Sequence, residues 1–291
     1  MPRTGVAQFT GSVNWEENIA AVRRLATRAA SVGVNLLCFH ELASTIYPAF
    51  TNDPALFKLA EPDNNGPSVT EARAIARETG LVIGYPFFER DGSCYYNSAL
   101  LLGPRGEILT KYRKSTIPNG IGRLVDGGSE DYYFQPGNLG FPVVETPFGI
   151  RVGIIICYDR NLPEPARCAA LNGAELLFVP ATTMQRARSR WELLLCARAV
   201  ENVLYVAAPN RVGQDRCGAP DTFYFGESLI VNPRGEVIGH GSASEEDLVW
   251  ADVDLGLLRN QRKSWLFFND RRPDQYDLIN HRDRPQHPSD P

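Results

Sequence analysis

The chain has 291 residues, 43% of them hydrophobic and 22% charged, enough for one large α/β domain or two smaller ones. Thirty Lys and Arg against 34 Asp and Glu give a net charge of −4 with no long basic block, which argues against nucleic acid and anionic membrane as partners. No run approaches the roughly 18 apolar residues of a membrane span. The N-terminus enters strand-like sequence without an apolar signal core, so a cytoplasmic location is expected.

Residues 5–10 read as a first strand. Asn14 with Glu17 forms a capping-box pattern, Ile19, Val22, Leu25, Ala26 and Ala29 recur at helical spacing, and Gly33 ends that helix. Val34 to Phe39 is a compact apolar strand ending at His40-Glu41, and 44–66, with Pro48, Pro54, Pro62 and Gly66, is mostly loop. Ser68 to Glu71 is a second capping box, Gly80 closes its helix, and Leu81 to Phe87 returns as a strand. Asn97 to Leu109 is a hairpin around Gly103-Pro-Arg-Gly106, and 115–142 is a long loop region. Helices near 163–172 and 189–202, the latter opened by a capping box at Ser189 to Glu192, alternate with strands near 175–180 and 203–208. From 279 the chain is a polar, Pro-rich tail, so the domain is set at 1–278 and the tail at 279–291.

Leu100 to Ile108 resembles Leu229 to Val237 at an offset of 129 residues, each piece holding an Asn/Gly-Pro-Arg-Gly turn. Either the halves are equivalent, giving two sheets packed face to face with helices outside, or two common Pro-x-Gly hairpins coincide.

Arg151 to Glu164 concentrates the chemistry. The β-branched run Ile154-Ile155-Ile156 suits a strand buried on both faces, it stops at Cys157, and Pro163 opens a helix. Cys157 is then either a plain buried cysteine or a nucleophile at a strand end beside backbone N–H donors. Six cysteines, no pair closer than 11 positions, and four histidines, two of them in the tail, exclude zinc clusters and a C-x-x-C redox site. A cysteine nucleophile must find its base among two histidines or the carboxylates.

Three charged residues stand at chain positions that would bring them near Cys157. Glu41 ends a strand and is either a solvated or capping acid or a buried general base. Lys114, in Lys-Tyr-Arg-Lys just after a hairpin, reads on its own as part of a solvated basic face. Glu130 precedes Tyr132-Tyr133-Phe134 and on its own reads as a surface acid.

Taken in order, Phe39-His-Glu41, Gly106 to Lys114, Glu130 to Gly137, Gly153 to Asp159, Gly173 to Pro180, Arg198 to Asn202 and Asn210 to Gly213 resemble the nitrilase, or carbon–nitrogen hydrolase, superfamily over nearly the whole chain. His40 departs from the Pro that many members place before the glutamate. The resemblance implies a four-layer α-β-β-α sandwich with pseudo-twofold symmetry, and hydrolysis of a non-peptide C–N bond without metal or organic cofactor. It implies Cys157 as nucleophile, Glu41 as base, Lys114 as oxyanion partner and Glu130 as orienting acid, in a homodimer or higher homo-oligomer whose tail reaches across subunits.

Arg160, three residues after Cys157, is either paired with Asp159 or Glu164 or free to fork a substrate carboxylate. N-carbamoyl amino acid hydrolases resemble the chain at this position, whereas N-carbamoylputrescine hydrolases generally lack the arginine. Asn210 to Gly213 resembles the β-ureidopropionases, and Ser264 to Tyr276 resembles both groups. Tyr158, Asn161, Tyr47 and Thr182, with Thr183, are the expected pocket walls. The expected activity is therefore hydrolysis of N-carbamoyl amino acids to the amino acid, CO2 and ammonia. The alternatives are an amidase or N-carbamoylputrescine amidohydrolase, and, in another class, a non-catalytic nitrilase-like binding scaffold.

Overall fold

The apolar runs become strands of two mixed sheets in the computed structural model, which describes residues 1–118, 128–215 and 223–280. The first half supplies β1 (Arg3–Gln8), β2 (Leu36–Phe39), β3 (Val82–Asp91), β4 (Cys94–Leu102) and β5 (Ile108–Arg113). The second supplies β6 (Val143–Glu145), β7 (Arg151–Ile154), β8 (Leu176–Phe178), β9 (Tyr205–Ala208), β10 (Val212–Gln214), β11 (Phe223–Phe225), β12 (Leu229–Val231), β13 (Val237–His240) and β14 (Asp247–Asp252). One six-stranded sheet has the order β14-β1-β2-β3-β4-β5 and the other β13-β12-β9-β8-β7-β6, while β10 and β11 pair separately.

The sheets repeat one plan. Three parallel strands, β1-β2-β3 or β7-β8-β9, carry one antiparallel strand on one side and an antiparallel pair on the other. The equivalence extends to turn geometry. Gly106 and Gly235 both have positive φ, at 77° and 81°, and donate to Gly103 O and Asn232 O. The register shifts at Leu101/Leu102 in one hairpin and at Ile230/Val231 in the other, the same 129-residue offset seen in the sequence. The echo marks two equivalent halves.

Helices α1 (Trp15–Ser31) and α2 (Pro67–Thr79) cover the outer face of the first sheet, with Val22, Leu25 and Ile75 against Leu37 and Ile83. Helices α4 (Pro163–Leu171) and α5 (Trp191–Asn202) cover the second, with Ala166 and Leu195 against Ile155 and Val206. Between the sheets Val6, Cys38 and Leu101 meet Ile154, Phe178 and Ile230. Ile155 faces the helices while Ile154 and Ile156 face the other sheet, so the run is buried on both sides, each side chain contributing about 1.5–3 kcal/mol. The result is the expected α-β-β-α sandwich. The four-residue α3 (Glu130–Tyr133) lies within the long loop region, of which 119–127 fall outside the described residues, and α6 (Leu255–Ser264) follows β14.

Local differences have physical causes. The capping box at Ser68 does not form: α2 starts at Pro67, whose missing N–H is harmless in the first turn, and Ser68 donates both its N–H and its hydroxyl to the Glu61 carboxylate. The box at Ser189 is likewise absent, because Gln185–Arg190 is a 3-10 turn and α5 starts at Trp191, whose indole donates to Glu227 O at 2.8 Å. β3 continues to Asp91 and turns into β4 at Gly92, so the first-half hairpin has one more arm than the Gly-Pro pattern marks. At the other end of the chain Leu278 and Ile279 are exposed, and 281–291, most of the polar tail, lie outside the described residues. Among the described residues no helix is long and apolar enough to cross a membrane.

Candidate active site

Cys157 stands where the chain leaves β7 for a five-residue 3-10 turn, Cys157–Asn161. Its φ of +45° is left-handed, a conformation costing roughly 1–2 kcal/mol for a residue with a Cβ. Asp159 holds the turn in place. Its carboxylate accepts from Ile156 N (2.9 Å), Tyr112 Oη (2.7 Å), Ser115 Oγ (2.9 Å) and Thr116 N (2.9 Å). The Cys157 N–H itself donates to Pro180 O at 2.8 Å, just beyond β8.

Glu41 follows β2 and is fully buried. Its Oε1 accepts from Asn97 Nδ2 at 2.7 Å and from Lys114 Nζ at 3.1 Å, while Oε2 is buried with no partner among the described residues. Lys114 directly follows β5, its N–H donating to Asn97 O and its carbonyl accepting from Gly137 N, both at 2.8 Å. Its Nζ also donates to Glu130 Oε2 at 2.5 Å, and Tyr47 Oη donates to Glu130 Oε1 at 2.6 Å. One ammonium thus lies between two carboxylates.

Burial works to lower the Lys114 pKa, but Glu130 and Glu41 outweigh it and hold the pKa above its ordinary value. Burial raises the Glu130 carboxyl, with Lys114 opposing. The Cys157 thiol is pushed up to about 11, first by its recessed position and then by the Glu41 charge, with Lys114 and Arg160 pulling the other way. The thiol is therefore neutral near pH 7. His40, the departure from the family pattern, is buried under Phe9 (ring centroids 4.2 Å apart). Its Nδ1 lies 3.1 Å from the Glu41 backbone carbonyl, so the carboxylate keeps its partners.

Arg160 is buried and makes no ion pair among the described residues, since the Asp159 carboxylate is engaged elsewhere. Its Nη1 donates to Cys157 O at 2.7 Å and lies 3.5 Å from Sγ, its Nε has no partner among the described residues, and its guanidinium packs over Trp191 at 4.8 Å. A cavity of about 600 Å3 opens beside it, with Cys157, Glu130, Tyr47, Tyr158, Asn161 and Thr182 on its wall. Thr182 Oγ1 donates to Glu41 O at 3.1 Å, and Thr183 Oγ1 lies 3.9 Å from Cys157 Sγ. All ten residues singled out from the sequence, Thr183 included, belong to this region. Glu41 and Lys114 stand behind the wall rather than on it.

Several contributors were not singled out. Asn97, a polar residue inside an apolar strand, was the readable signal for the Glu41 partner. Arg211 and Asp215 form a buried pair at 2.6 Å. Arg211 Nη2 donates to Glu41 O (3.1 Å), Leu42 O (2.9 Å) and Thr45 O (2.9 Å), and Asp215 Oδ2 accepts from Tyr47 N at 3.0 Å. The pair clasps the loop that carries both Glu41 and Tyr47. Tyr224, Arg186 and Arg190 also reach the cavity wall without having been marked. Among the described residues no group of three or more His, Cys, Asp or Glu is placed to hold a metal ion.

Breaking a buried pair from one side leaves an uncompensated charge at a cost of about 3–5 kcal/mol. Asp215→Ala is expected to lower the urea midpoint accordingly and to speed amide exchange at 42–47. An unchanged midpoint would show that the clasp does not hold the loop.

Residues 3–263 match the family model described as carbon-nitrogen hydrolase. The chain is 34% identical to an N-carbamoylputrescine amidase of Arabidopsis thaliana over 94% of this chain and 93% of that protein. It is also 34% identical to a citrullinase of Francisella tularensis, over 95% and 97% of the two chains. The solved carbon–nitrogen hydrolase from Helicobacter pylori G27 has the same fold, with a TM-score of 0.87 and 30% identity over 97% of this chain and 99% of that one. The sandwich, the match along almost its whole length and these relatives together establish that the chain belongs to the carbon–nitrogen hydrolase family of the nitrilase superfamily and is a hydrolase of carbon–nitrogen bonds.

Proposed function

We propose that the enzyme hydrolyses N-carbamoyl amino acids to the amino acid, CO2 and ammonia through a covalent intermediate on Cys157. Glu41 takes the thiol proton as sulfur attacks the ureido carbonyl. The negative charge on the tetrahedral oxygen is met by Lys114 and by the Tyr158 N–H, the Cys157 N–H being engaged with Pro180. As the C–N bond to the amino acid breaks, Glu41 returns the proton to the leaving nitrogen, and the carbamoyl group stays on sulfur as a thioester. Glu41 then takes a proton from water, which attacks the thioester. Carbamic acid leaves and decomposes to CO2 and ammonia, and the thiol is restored. The unpartnered Glu41 Oε2 supports this double role.

The observation that carries the substrate assignment is Arg160, a buried guanidinium beside the sulfur with donors not engaged by any acid among the described residues. A planar fork there suits the substrate carboxylate. Tyr158, Asn161, Tyr47 and Thr182 are proposed to shape the rest of the pocket. The second reading, N-carbamoylputrescine or a simple amide, is favoured by the name of the Arabidopsis relative. A cationic tail would need a free acid, yet the one acid on the described cavity wall, Glu130, has both oxygens engaged by Tyr47 and Lys114.

Ammonia release measured side by side from N-carbamoyl-β-alanine, N-carbamoyl-D- and L-amino acids, N-carbamoylputrescine and plain amides tests the proposal. Ureido acids should be turned over at least tenfold faster than the rest, and Arg160→Met should remove that preference. Turnover of amides or N-carbamoylputrescine alone would overturn it.

We further propose a hydrolase unit at 1–278 that assembles as a homodimer or higher homo-oligomer in the cytoplasm. Exposed Leu266, Phe267, Leu278 and Ile279 support an assembly surface near the C-terminus. The five described cysteines, all unpaired, suit a reducing compartment. Truncation after Tyr276 is expected to lower the particle mass in light scattering, and an unchanged mass would count against a role for the tail.

A further inference from the structure

Resting on the ureido-acid reading above, we propose that the cavity selects substrates with a second acidic group, so that the amino acid released is a dicarboxylic one. The argument lies in the charges around the cavity. At its inner end Glu130 and Arg160 are on the wall with Glu41 and Lys114 buried behind it, two acids and two cations that cancel. Its outer wall adds two further cations, Arg186 and Arg190, and among the described wall residues Glu130 is the only acid.

The two outer arginines are exposed, and neither has a hydrogen-bond or ion-pair partner among the described residues. The contrast with Arg188, which lies between them in the same 3-10 turn, is instructive. Arg188 turns to the other side and is paired with Glu227, its Nε donating at 3.1 Å. Glu227 also accepts the Trp191 indole through its backbone carbonyl, and Met184 bridges to Tyr224 at the other end of the turn. The turn is thus held from behind, and Arg186 and Arg190 are left on the cavity side. With the carbamoyl carbon at Cys157 and the α-carboxylate at Arg160, the side chain of the substrate extends toward this rim. A carboxylate at its end meets two unpaired guanidinium groups, whereas an ammonium meets repulsion. An apolar side chain gains neither.

The test compares kcat/KM for N-carbamoyl-aspartate and N-carbamoyl-glutamate with N-carbamoyl-alanine and N-carbamoyl-methionine, in both stereochemical series, by ammonia release at low and high salt. Contacts to exposed charges make the acidic substrates better by roughly three- to thirtyfold at low salt, and screening shrinks the advantage as salt rises. In the Arg186→Gln/Arg190→Gln double variant the acidic-to-neutral ratio falls to about one. An acidic substrate no better than its neutral counterpart, or a preference that survives in the double variant, overturns the inference and leaves the ureido-acid reading standing. Turnover of simple amides with no ureido acid accepted defeats that reading and this inference with it.

Discussion

A single ammonium buried between two carboxylates is the constraint on which the rest of the site depends. Lys114, Glu41 and Glu130 are all withdrawn from water, and removing ions from water costs several kcal/mol each before any pairing. The arrangement persists because nearly every oxygen and proton in it has a partner. Asn97 and Lys114 share Glu41 Oε1, Tyr47 and Lys114 take the two Glu130 oxygens, and among the described residues only Glu41 Oε2 and the third Lys114 proton are left over. These groups come from the end of β2, the end of β5 and α3, so the triad forms only when the first sheet and the long loop are in place. The second sheet brings Cys157, in the turn just past β7, to the same spot, and the clasp of Arg211 and Asp215 ties the Glu41 loop to that half of the molecule.

The same charges decide what kind of thiol Cys157 is. One lysine between two acids leaves the group negative, and that charge, added to the recessed position, opposes a thiolate. In the proposed mechanism the proton is therefore removed during attack and not beforehand to give a resting thiolate. The left-handed backbone at Cys157, held by Asp159, aims the sulfur toward the cavity at a fixed angle. Arg160 then sets the sign of the cavity next to the sulfur, and Arg186 and Arg190 extend that sign outward.

Much of this was legible in the chain. The apolar runs at 34–39 and 151–156 marked inner strands because strands covered on both faces have no polar alternation to hide. The repeated Pro-Arg-Gly turns marked two halves because a turn with positive φ needs glycine at one position, and both hairpins have it there. Cys157 was marked as a candidate nucleophile by its strand end alone and Glu41 was left open between a solvated acid and a buried base, but only the resemblance joined them to Lys114 and Glu130, which singly read as surface charges. Contacts across long separations were not legible. Arg211 and Glu41 lie 170 residues apart and Asn97 and Glu41 lie 56 apart, and no local pattern links such pairs. The two false capping boxes show the converse. Ser68 had the right local pattern, but Glu61 from the preceding loop took its donors, and a tertiary contact overrode a local rule.

The most direct test of the account is a titration of Cys157, read as the thiolate ultraviolet absorbance of the enzyme minus that of Cys157→Ser. No difference is expected near pH 7, with a midpoint near 11. Because the Glu41 charge raises the thiol pKa, Glu41→Gln must move the midpoint down. A thiolate already formed at neutral pH, or a midpoint indifferent to Glu41→Gln, would contradict the claim that this acid faces the sulfur.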